Sequence, residues 1–273
     1  MKAMFIVAAK EFQDGLRNRW VLAITVILAV LAMGIAYFGA AASGGLGFTS
    51  LATTLVSLST LAVFLIPLIA LMLAYDAVVG EQEAGTLLLL TYPISRSALL
   101  FGKFFGHGMI LAVATLLGFG IAGIVIALGA EGVPLIQLTV GLARLIASSV
   151  LLGWVFLAFA YLISVTVTEK ARAAGLALGV WFLFVLVFDL VLLALLVGVK
   201  QGGDWLPYLM LLNPTDSFRL INLSGFDSTQ LESGIAAIAQ QGAFHSAWPP
   251  LAMLVWVVVP LLLAVRRFHR HTA

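Results

Sequence analysis

The chain contains no cysteine among its 273 residues. This absence excludes disulfide bonds, zinc sites built from thiolates and copper sites that need a Cys ligand. Charge is scarce as well, because Asp, Glu, Lys and Arg make up only 10% of the chain, whereas a soluble domain usually carries about a quarter. The net charge of +2 does not indicate nucleic-acid binding, so the positions of the basic residues matter more than their number.

Hydrophobic residues, by contrast, make up 63% of the chain, and its mean hydropathy is +1.16. Six apolar runs are long enough to cross about 30 Å of hydrocarbon as helices, and the ten-residue alternation of a membrane β-barrel is absent. The sequence therefore predicts an all-α integral membrane protein. Its predicted spans are 20–38, 51–74, 99–128, 135–167, 173–199 and 247–265.

Lysine and arginine are distributed unevenly among the segments that flank these spans. Eleven of the 14 lie before the first span, in the second-to-third and fourth-to-fifth connections, and in the tail that ends the segment 247–273. The positive-inside rule places such segments in the cytoplasm. We therefore expect both termini to be cytoplasmic and the segment 200–246 to be periplasmic.

Residues 1–19 carry an amphipathic pattern. On a helical wheel Met4, Ala8 and Phe12 share one side, whereas Lys10 and Asp14 share the other. These charges interrupt the apolar core that a cleavable signal needs. The pattern predicts an elbow helix along the cytoplasmic membrane surface, with a solvated extension of the first span as the alternative.

The stretch DAVVGEQEAGTLLLLTYPISR, residues 76–96, follows the second span directly. Glu81 and Glu83 would be costly in hydrocarbon, and too few apolar residues follow for the chain to recross the membrane before Pro93. We therefore expect a short cytoplasmic helix over about 78–90. Its leucines would dock into the groove of a partner, and its carboxylates would face that partner's basic groups.

Two glycines in this stretch have the spacing of a nucleotide-binding motif. Gly80 and Gly85 match the glycines of a phosphate-binding loop, but Thr86 stands where that loop needs a lysine. The surrounding segment is also predicted as helix, whereas a phosphate-binding loop follows a strand. If ATP drives transport, another subunit must therefore hydrolyse it.

The same stretch resembles the signature of type-2 ABC transporter permeases, a pattern D-x-x-x-x-E-x-E-x-G-T-L-x-x-L that continues to P-I-S-R and G-K. The matching residues are Asp76, Glu81, Glu83, Gly85, Thr86, Leu87, Pro93, Ser95, Arg96, Gly102 and Lys103. The surface helix, the six spans and the outer segment before the last span are similar to that family as well.

This resemblance implies the type-2 ABC permease fold in the bacterial inner membrane, with no catalytic residue and no bound cofactor in this chain. Coupling helices near 77–91 and 167–173 would contact a cytoplasmic ATPase, which would bind ATP and Mg. The implied coupling residues are Asp76, Glu81, Glu83, Gly85, Thr86, Glu169, Lys170 and Arg172.

A narrower resemblance, to the permeases of NosDFY-type transporters, rests on FIVAAKEFQDGLRNRWVLA, GEQEAGTLLLLTYPISR and NPTDSFRLINLSG. It implies a homodimer with two copies of a NosF-like ATPase and a periplasmic, NosD-like β-helix protein. Such transporters support maturation of the copper sites of nitrous oxide reductase. Two other functions stay open: a generic exporter of drugs, ions or lipids, and a membrane scaffold that transports nothing.

Two predicted spans each contain one deep charge. Arg144 and Asp189 are expensive there unless they are paired or face water. A mutual ion pair, or an Arg144 side chain that reaches the outer interface, is one interpretation. The other places Asp189 on a translocation pathway. One deep carboxylate without an inverted repeat does not favour a proton-driven transporter.

The outer segment 200–246 is the candidate surface for a periplasmic partner, although many such loops simply cover a bundle. Aromatic residues and arginine are enriched at binding hot spots, so we expect docking by Trp205, Tyr208, Phe218, Arg219 and Phe226. The methionines are dispersed and are expected to pack in the core, so no metal site is predicted. The cargo stays open among copper, a sulfur species and others.

Two glycines spaced four residues apart begin the third span. Small residues at this spacing let helices approach closely, so Gly102 and Gly106 predict a tight helix contact. His107 follows them one turn beyond Lys103, and it is expected to be a packed or interfacial histidine.

Overall fold

The computed structural model describes residues 2–38, 51–85, 94–129, 134–198, 206–223 and 246–270. Within these ranges every regular element is helical. The helices are α1 Lys2–Leu16, α2 Arg19–Phe38, α3 Leu51–Ala74, α4 Val79–Glu83, α5 Arg96–Gly129, α6 Leu135–Ser164, α7 Lys170–Phe182, α8 Phe188–Gly198, α9 Leu206–Met210, α10 Pro214–Leu223 and α11 Trp248–Arg270. A π-helical turn, Leu183–Val187, joins α7 to α8.

Six helical segments of the described chain are long and apolar enough to cross a membrane, and they confirm the predicted all-α fold with six spans. They are α2, α3 together with α4, α5, α6, α7 together with α8, and α11. Helix α5 has 34 residues and α6 has 30, so both exceed the roughly 20 that a bilayer needs. Such helices either tilt or extend beyond the hydrocarbon.

Helix α6 lies at the centre of the bundle, where it packs against α3, α5 and α11. Its inward side chains Leu152, Phe156 and Tyr161 are fully buried. The span formed by α7 and α8 lies at the periphery, since only 17% of its most apolar window is buried. Its large apolar side chains are therefore left to face lipid or another protein chain.

The N-terminal helix α1 packs tightly on the start of α5, and this contact confirms the prediction from Gly102 and Gly106. A Cβ atom at Gly102 would lie 2.8 Å from the carbonyl oxygen of Met4 and 2.7 Å from the Cβ of Val7. A Cβ atom at Gly106 would lie 3.0 Å from the carbonyl oxygen of Ala8. The glycines therefore let the backbones of the elbow helix and the third span touch.

The Gly102→Ala variant is expected to push α1 away from α5, because backbone and Cβ atoms cannot rotate out of the way. Such overpacking costs about 1–3 kcal/mol. Gly120 on the same helix is the matched control, since a Cβ atom there meets nothing within 4 Å. Gly120→Ala should be neutral, or more stable by up to about 1 kcal/mol. Thermal unfolding of the purified chain tests both, and equal melting temperatures for the two variants would contradict this account.

Candidate functional site

A hydrogen bond and a neighbouring ion pair link the short helix α4 to the first residue of α7, at one end of the bundle. The Lys170 ammonium lies 2.6 Å from Oδ2 of Asp76, three residues before the start of α4. The backbone N–H of Lys170 donates to Oε1 of Glu83, the last residue of α4, at 2.7 Å. An ion pair and a hydrogen bond therefore join the connection between the second and third spans to the connection between the fourth and fifth. We call the joined segments, 76–85 and 165–170, the coupling element.

The predicted helix over 78–90 is wrong in its length, because α4 ends at Glu83. Gly85 has φ of 62°, in the left-handed region that glycine adopts without steric cost, and such a residue commonly ends a helix. The predicted second coupling helix near 167–173 is likewise a turn followed by the start of α7. Thr86 and the rest of the segment 86–93 lie outside the described residues.

A serine from α6 caps the start of α4. The first N–H groups of a helix have no partner within it, and the N-cap residue Val78 has no side chain that could accept them. Ser164 Oγ accepts hydrogen bonds from the N–H of Val78 at 3.0 Å and of Val79 at 3.1 Å. The coupling element is thereby joined to the end of the central span, a link that no local sequence signal indicated.

Lys103 connects this element to the N-terminal helix. Its side chain is only 5% exposed, and its ammonium lies 2.6 Å from Oε1 of Glu81 and 3.3 Å from Oε1 of Glu11. The same group donates to the carbonyl of Ala77 at 3.2 Å. Glu81 was expected to face a partner protein, but here it binds a lysine of its own chain. One buried cation thus holds α1, α4 and α5 together.

His107, one turn further along α5, extends this network into the bundle. Its Nδ1 lies 2.7 Å from the hydroxyl of Tyr161 on α6, and its Nε2 lies 3.9 Å from Oε2 of Glu11. The histidine is therefore a packed residue that joins two spans, which is the role expected from the sequence.

The remaining predicted coupling residues lie at the exposed edge. Arg172 Nε lies 3.0 Å from Oε2 of Glu169, and both side chains are more than half exposed. An exposed pair of this kind adds little to stability. Both side chains are therefore accessible at the start of α7.

A family profile described as ABC-2 family transporter protein matches residues 5–272. The chain belongs to the ABC-2 transporter family. It is 59% identical over 273 residues to the "Probable ABC transporter permease protein NosY" of Stutzerimonas stutzeri, with 99% of each chain covered. It is 53% identical over 274 residues to the protein of the same name from Pseudomonas aeruginosa, again with 99% of each covered. These findings confirm both resemblances: the chain is a multi-pass permease subunit of an ABC transporter, similar to NosY.

A second group of charges lies where α10 of this permease meets α8. Arg219 donates to both carboxylate oxygens of Asp189, at 2.9 Å and 2.8 Å, and to Oδ1 of Asp216 at 2.9 Å. We call these three residues the outer cluster. The proposed ion pair between Asp189 and Arg144 is therefore wrong, because Arg219 occupies both oxygens of Asp189.

Hydrogen bonds at the start of α10 fix the position of this cluster. Asn213 caps the helix, since its Oδ1 accepts the N–H of Thr215 at 3.0 Å, and Pro214 occupies the first helical position, which needs no N–H. Asn213 Nδ2 and Thr215 Oγ1 both donate to the carbonyl of Phe184. Phe184 lies in the π-helical turn, where the regular hydrogen-bond ladder of the span is interrupted. The sequence NPTD thus ties α10 to the fifth span.

Burial acts strongly on Asp216, which is fully buried. Desolvation raises the pKa of Asp216 to about 6, although the neighbouring Arg219 acts in the opposite direction. Burial lowers the pKa of Arg219, but its bonds to Asp189 and Asp216 outweigh this and leave its pKa above the ordinary value. One guanidinium therefore binds two carboxylates.

The partner-docking prediction for the outer segment is wrong at two positions. Phe218 is fully buried, and Arg219 is engaged in the outer cluster with a side chain only 15% exposed. Helix α10 packs against α3, α6 and α11, and its polar side chains are bonded to Asp189, to Ser148 and to the carbonyl of Phe184 as well as to one another. Tyr208 is 55% exposed and stays a candidate. Trp205 and Phe226 lie outside the described residues.

Arg144 lies on α6 and forms no ion pair with the outer cluster. It is exposed, and the described residues provide no carboxylate within ion-pair distance of it. A small cavity beside it is lined by Leu55, Ser59 and Asn222. Asn222 itself donates to Ser148 Oγ, one turn along α6, at 2.9 Å. Arg144 thus has polar neighbours. Its reach to the outer interface and the place of Asp189 on a translocation pathway stay predictions.

Proposed function

We propose that this permease works as a homodimer in the bacterial inner membrane and supports maturation of the copper sites of nitrous oxide reductase. In this proposal a cytoplasmic, NosF-like ATPase binds ATP and Mg and drives the permease. On the other side of the membrane, the conformational change of the permease acts on a periplasmic, NosD-like protein. The name of the relatives, NosY, and their identity over the full length favour this role over that of a generic exporter.

The coupling element is the observation that carries the ATP-driven part of the proposal. Lys170 binds Asp76 through its side chain and Glu83 through its backbone, while Ser164 binds the start of α4. A force applied to α4 from the cytoplasm therefore acts on the ends of four spans, α3, α5, α6 and α7. Closure of two ATPase subunits would supply such a force, and the bundle would respond by a shift of packed helices.

The exposed Glu169 and Arg172 extend the surface that the ATPase would contact. The leucine-rich residues after Gly85 would supply its apolar part, since leucine side chains can fill an apolar groove of a partner. Both termini would lie in the cytoplasm with this surface, and the segment 200–246 would face the periplasm. The chain would then transmit work and would hydrolyse nothing itself.

The Asp76–Lys170 pair provides the test. Asp76→Lys places two cations where a pair 2.6 Å apart now stands, and Lys170→Asp places two carboxylates there. We expect either change to lower the copper content of nitrous oxide reductase in cells by about tenfold or more, since like charges in contact cost on the order of 1–2 kcal/mol. The side chains are 33% and 46% exposed, so folding should survive.

The double variant, with both charges exchanged, is the matched control and should restore much of the copper content. ATP hydrolysis by the reconstituted complex is measured in parallel. Full copper content in both single variants, at normal membrane levels, would contradict the coupling role. A membrane scaffold that transports nothing would leave ATP hydrolysis unchanged by either substitution.

A further inference from the structure

A polar cavity of about 390 Å³ opens between α1, α3 and α5, at the cytoplasmic end of the bundle. The charged residues that line it are Glu11, Asp14, Asp76, Glu81, Lys103 and Lys170. Four carboxylates thus face two ammonium groups, and both lysines already bind carboxylates of this set. Asp14 also pairs with Lys10 on the surface of α1, at 3.1 Å, so the four carboxylates face three ammonium groups in all. The cavity therefore offers an excess of one negative charge to an occupant.

An apolar groove of about 330 Å³ runs between α2 and α5. Leu22 and Val26 of α2 and Leu117 and Ile121 of α5 line it, and these side chains are 39–62% exposed. In a membrane such a surface is covered by acyl chains, because no water reaches it there. Val21 and Ile110 line both the cavity and the groove, so the two are continuous.

The dimensions of the groove match one leaflet. From Ile110 to Ile121 the helix rises by 11 steps, which is roughly 16 Å at 1.5 Å per residue, or about half of the 30 Å hydrocarbon core. Trp20 precedes Val21 and is 65% exposed, and tryptophan is enriched at the membrane–water interface. The change from polar cavity to apolar groove therefore falls where headgroup gives way to acyl chain.

We propose that the cavity and groove together bind one phospholipid of the cytoplasmic leaflet with a primary-amine headgroup, such as phosphatidylethanolamine. One acyl chain lies in the groove between α2 and α5, and the ammonium group donates hydrogen bonds to carboxylates in the cavity. A quaternary ammonium headgroup has no N–H to donate. An anionic headgroup without an amine would be repelled by the negative charge of the carboxylates.

This lipid would contact the network that holds the coupling element. Glu11 and Glu81 line the cavity, and both bind Lys103. An amine headgroup beside these carboxylates adds a second cation between α1 and α4. Binding of the lipid should therefore stabilise the docked position of α1, independently of what the transporter carries.

Native mass spectrometry of the full-length chain tests the proposal with an equimolar mixture of dioleoyl phosphatidylethanolamine, phosphatidylcholine and phosphatidylglycerol. We expect the chain to retain about tenfold more of the ethanolamine lipid than of either other lipid. The reason is that the other two headgroups lack the charge-assisted hydrogen bond from the primary amine. Val113→Trp fills the groove and should remove the preference. Leu116→Trp is the matched control, since Leu116 lies on the same helix, is 55% exposed and does not line the groove.

A second measurement needs no variant. Phosphatidylethanolamine with a photoreactive group in its acyl chain should label α2 and the stretch of α5 from Ile110 to Ile121, in preference to the exposed apolar side chains of α8. Equal retention of the three lipids would overturn the headgroup assignment. Equal retention by Val113→Trp and Leu116→Trp, or labelling spread evenly over all spans, would overturn the site.

Discussion

Replacing Arg219 with alanine is expected to destabilise the folded chain by about 3–5 kcal/mol, enough to deplete it from the membrane. The reason is that Arg219 is the cation of the outer cluster, bonded to both Asp189 and Asp216. Asp216 is fully buried, so its carboxylate cannot turn to water once the guanidinium is gone. The level of folded protein in membranes, measured by size-exclusion chromatography after extraction, tests this.

Two milder changes in the same cluster separate charge from geometry. Arg219→Lys keeps the charge but loses the planar fork that binds both oxygens of Asp189, so it should recover only part of the folded protein. Asp216→Asn keeps a side chain that can form hydrogen bonds with Arg219 and Asn213. Burial already disfavours the charged form of Asp216, as its raised pKa indicates. This variant should accumulate nearly normally. Normal levels of Arg219→Ala would contradict the assigned role of the cluster.

Replacing Lys103 with methionine should detach α1 from the bundle and destabilise the chain by about 3 kcal/mol or more, because it leaves two carboxylates without their shared cation. Methionine fills most of the volume of the lysine side chain, so the charge is what the substitution removes. Glu11 is 13% exposed and Glu81 is 28% exposed, so neither can be fully hydrated without moving. The elements that move would be α1 and α4.

Lys10→Met is the matched control, since Lys10 pairs with Asp14 on the surface of α1 and both side chains are 60% exposed. A surface pair one turn apart contributes only about 0.3–0.5 kcal/mol. Limited proteolysis within α1 and thermal unfolding of the purified chains compare the two. Proteolysis at α1 that is no faster in Lys103→Met than in Lys10→Met would rule out Lys103 as the link between α1 and α4.

The spans could be predicted because hydrophobicity and length act locally. The second span, 51–74, matches α3 at both ends, and the other predicted ends lie within five residues of the helix ends. The close contact at Gly102 and Gly106 was predictable for a similar reason, since small residues one turn apart allow backbones to touch. Their partner, α1, could not be read from the spacing, because the same glycines would fit any helix.

The partners of charged residues were predicted less accurately, because residues that form an ion pair can be far apart in the sequence. The sequence offered Arg144 as the counter-ion of Asp189, since both lie in predicted spans. The partner is instead Arg219, from a segment assigned to the outer surface, and it reaches Asp189 because α10 folds back against the bundle. The length of α4 was missed for a local reason, the left-handed backbone of Gly85.

Composition and patterning alone thus determined that this protein is a helical membrane protein with six spans, because burial of apolar residues in lipid requires long helices. The signature at 76–103 determined its family. Only the tertiary structure decided which charges meet: Lys103 with Glu11 and Glu81, Lys170 with Asp76, and Arg219 with Asp189. The physical reason is that a buried charge must be paired, whereas the choice among distant partners depends on helix packing.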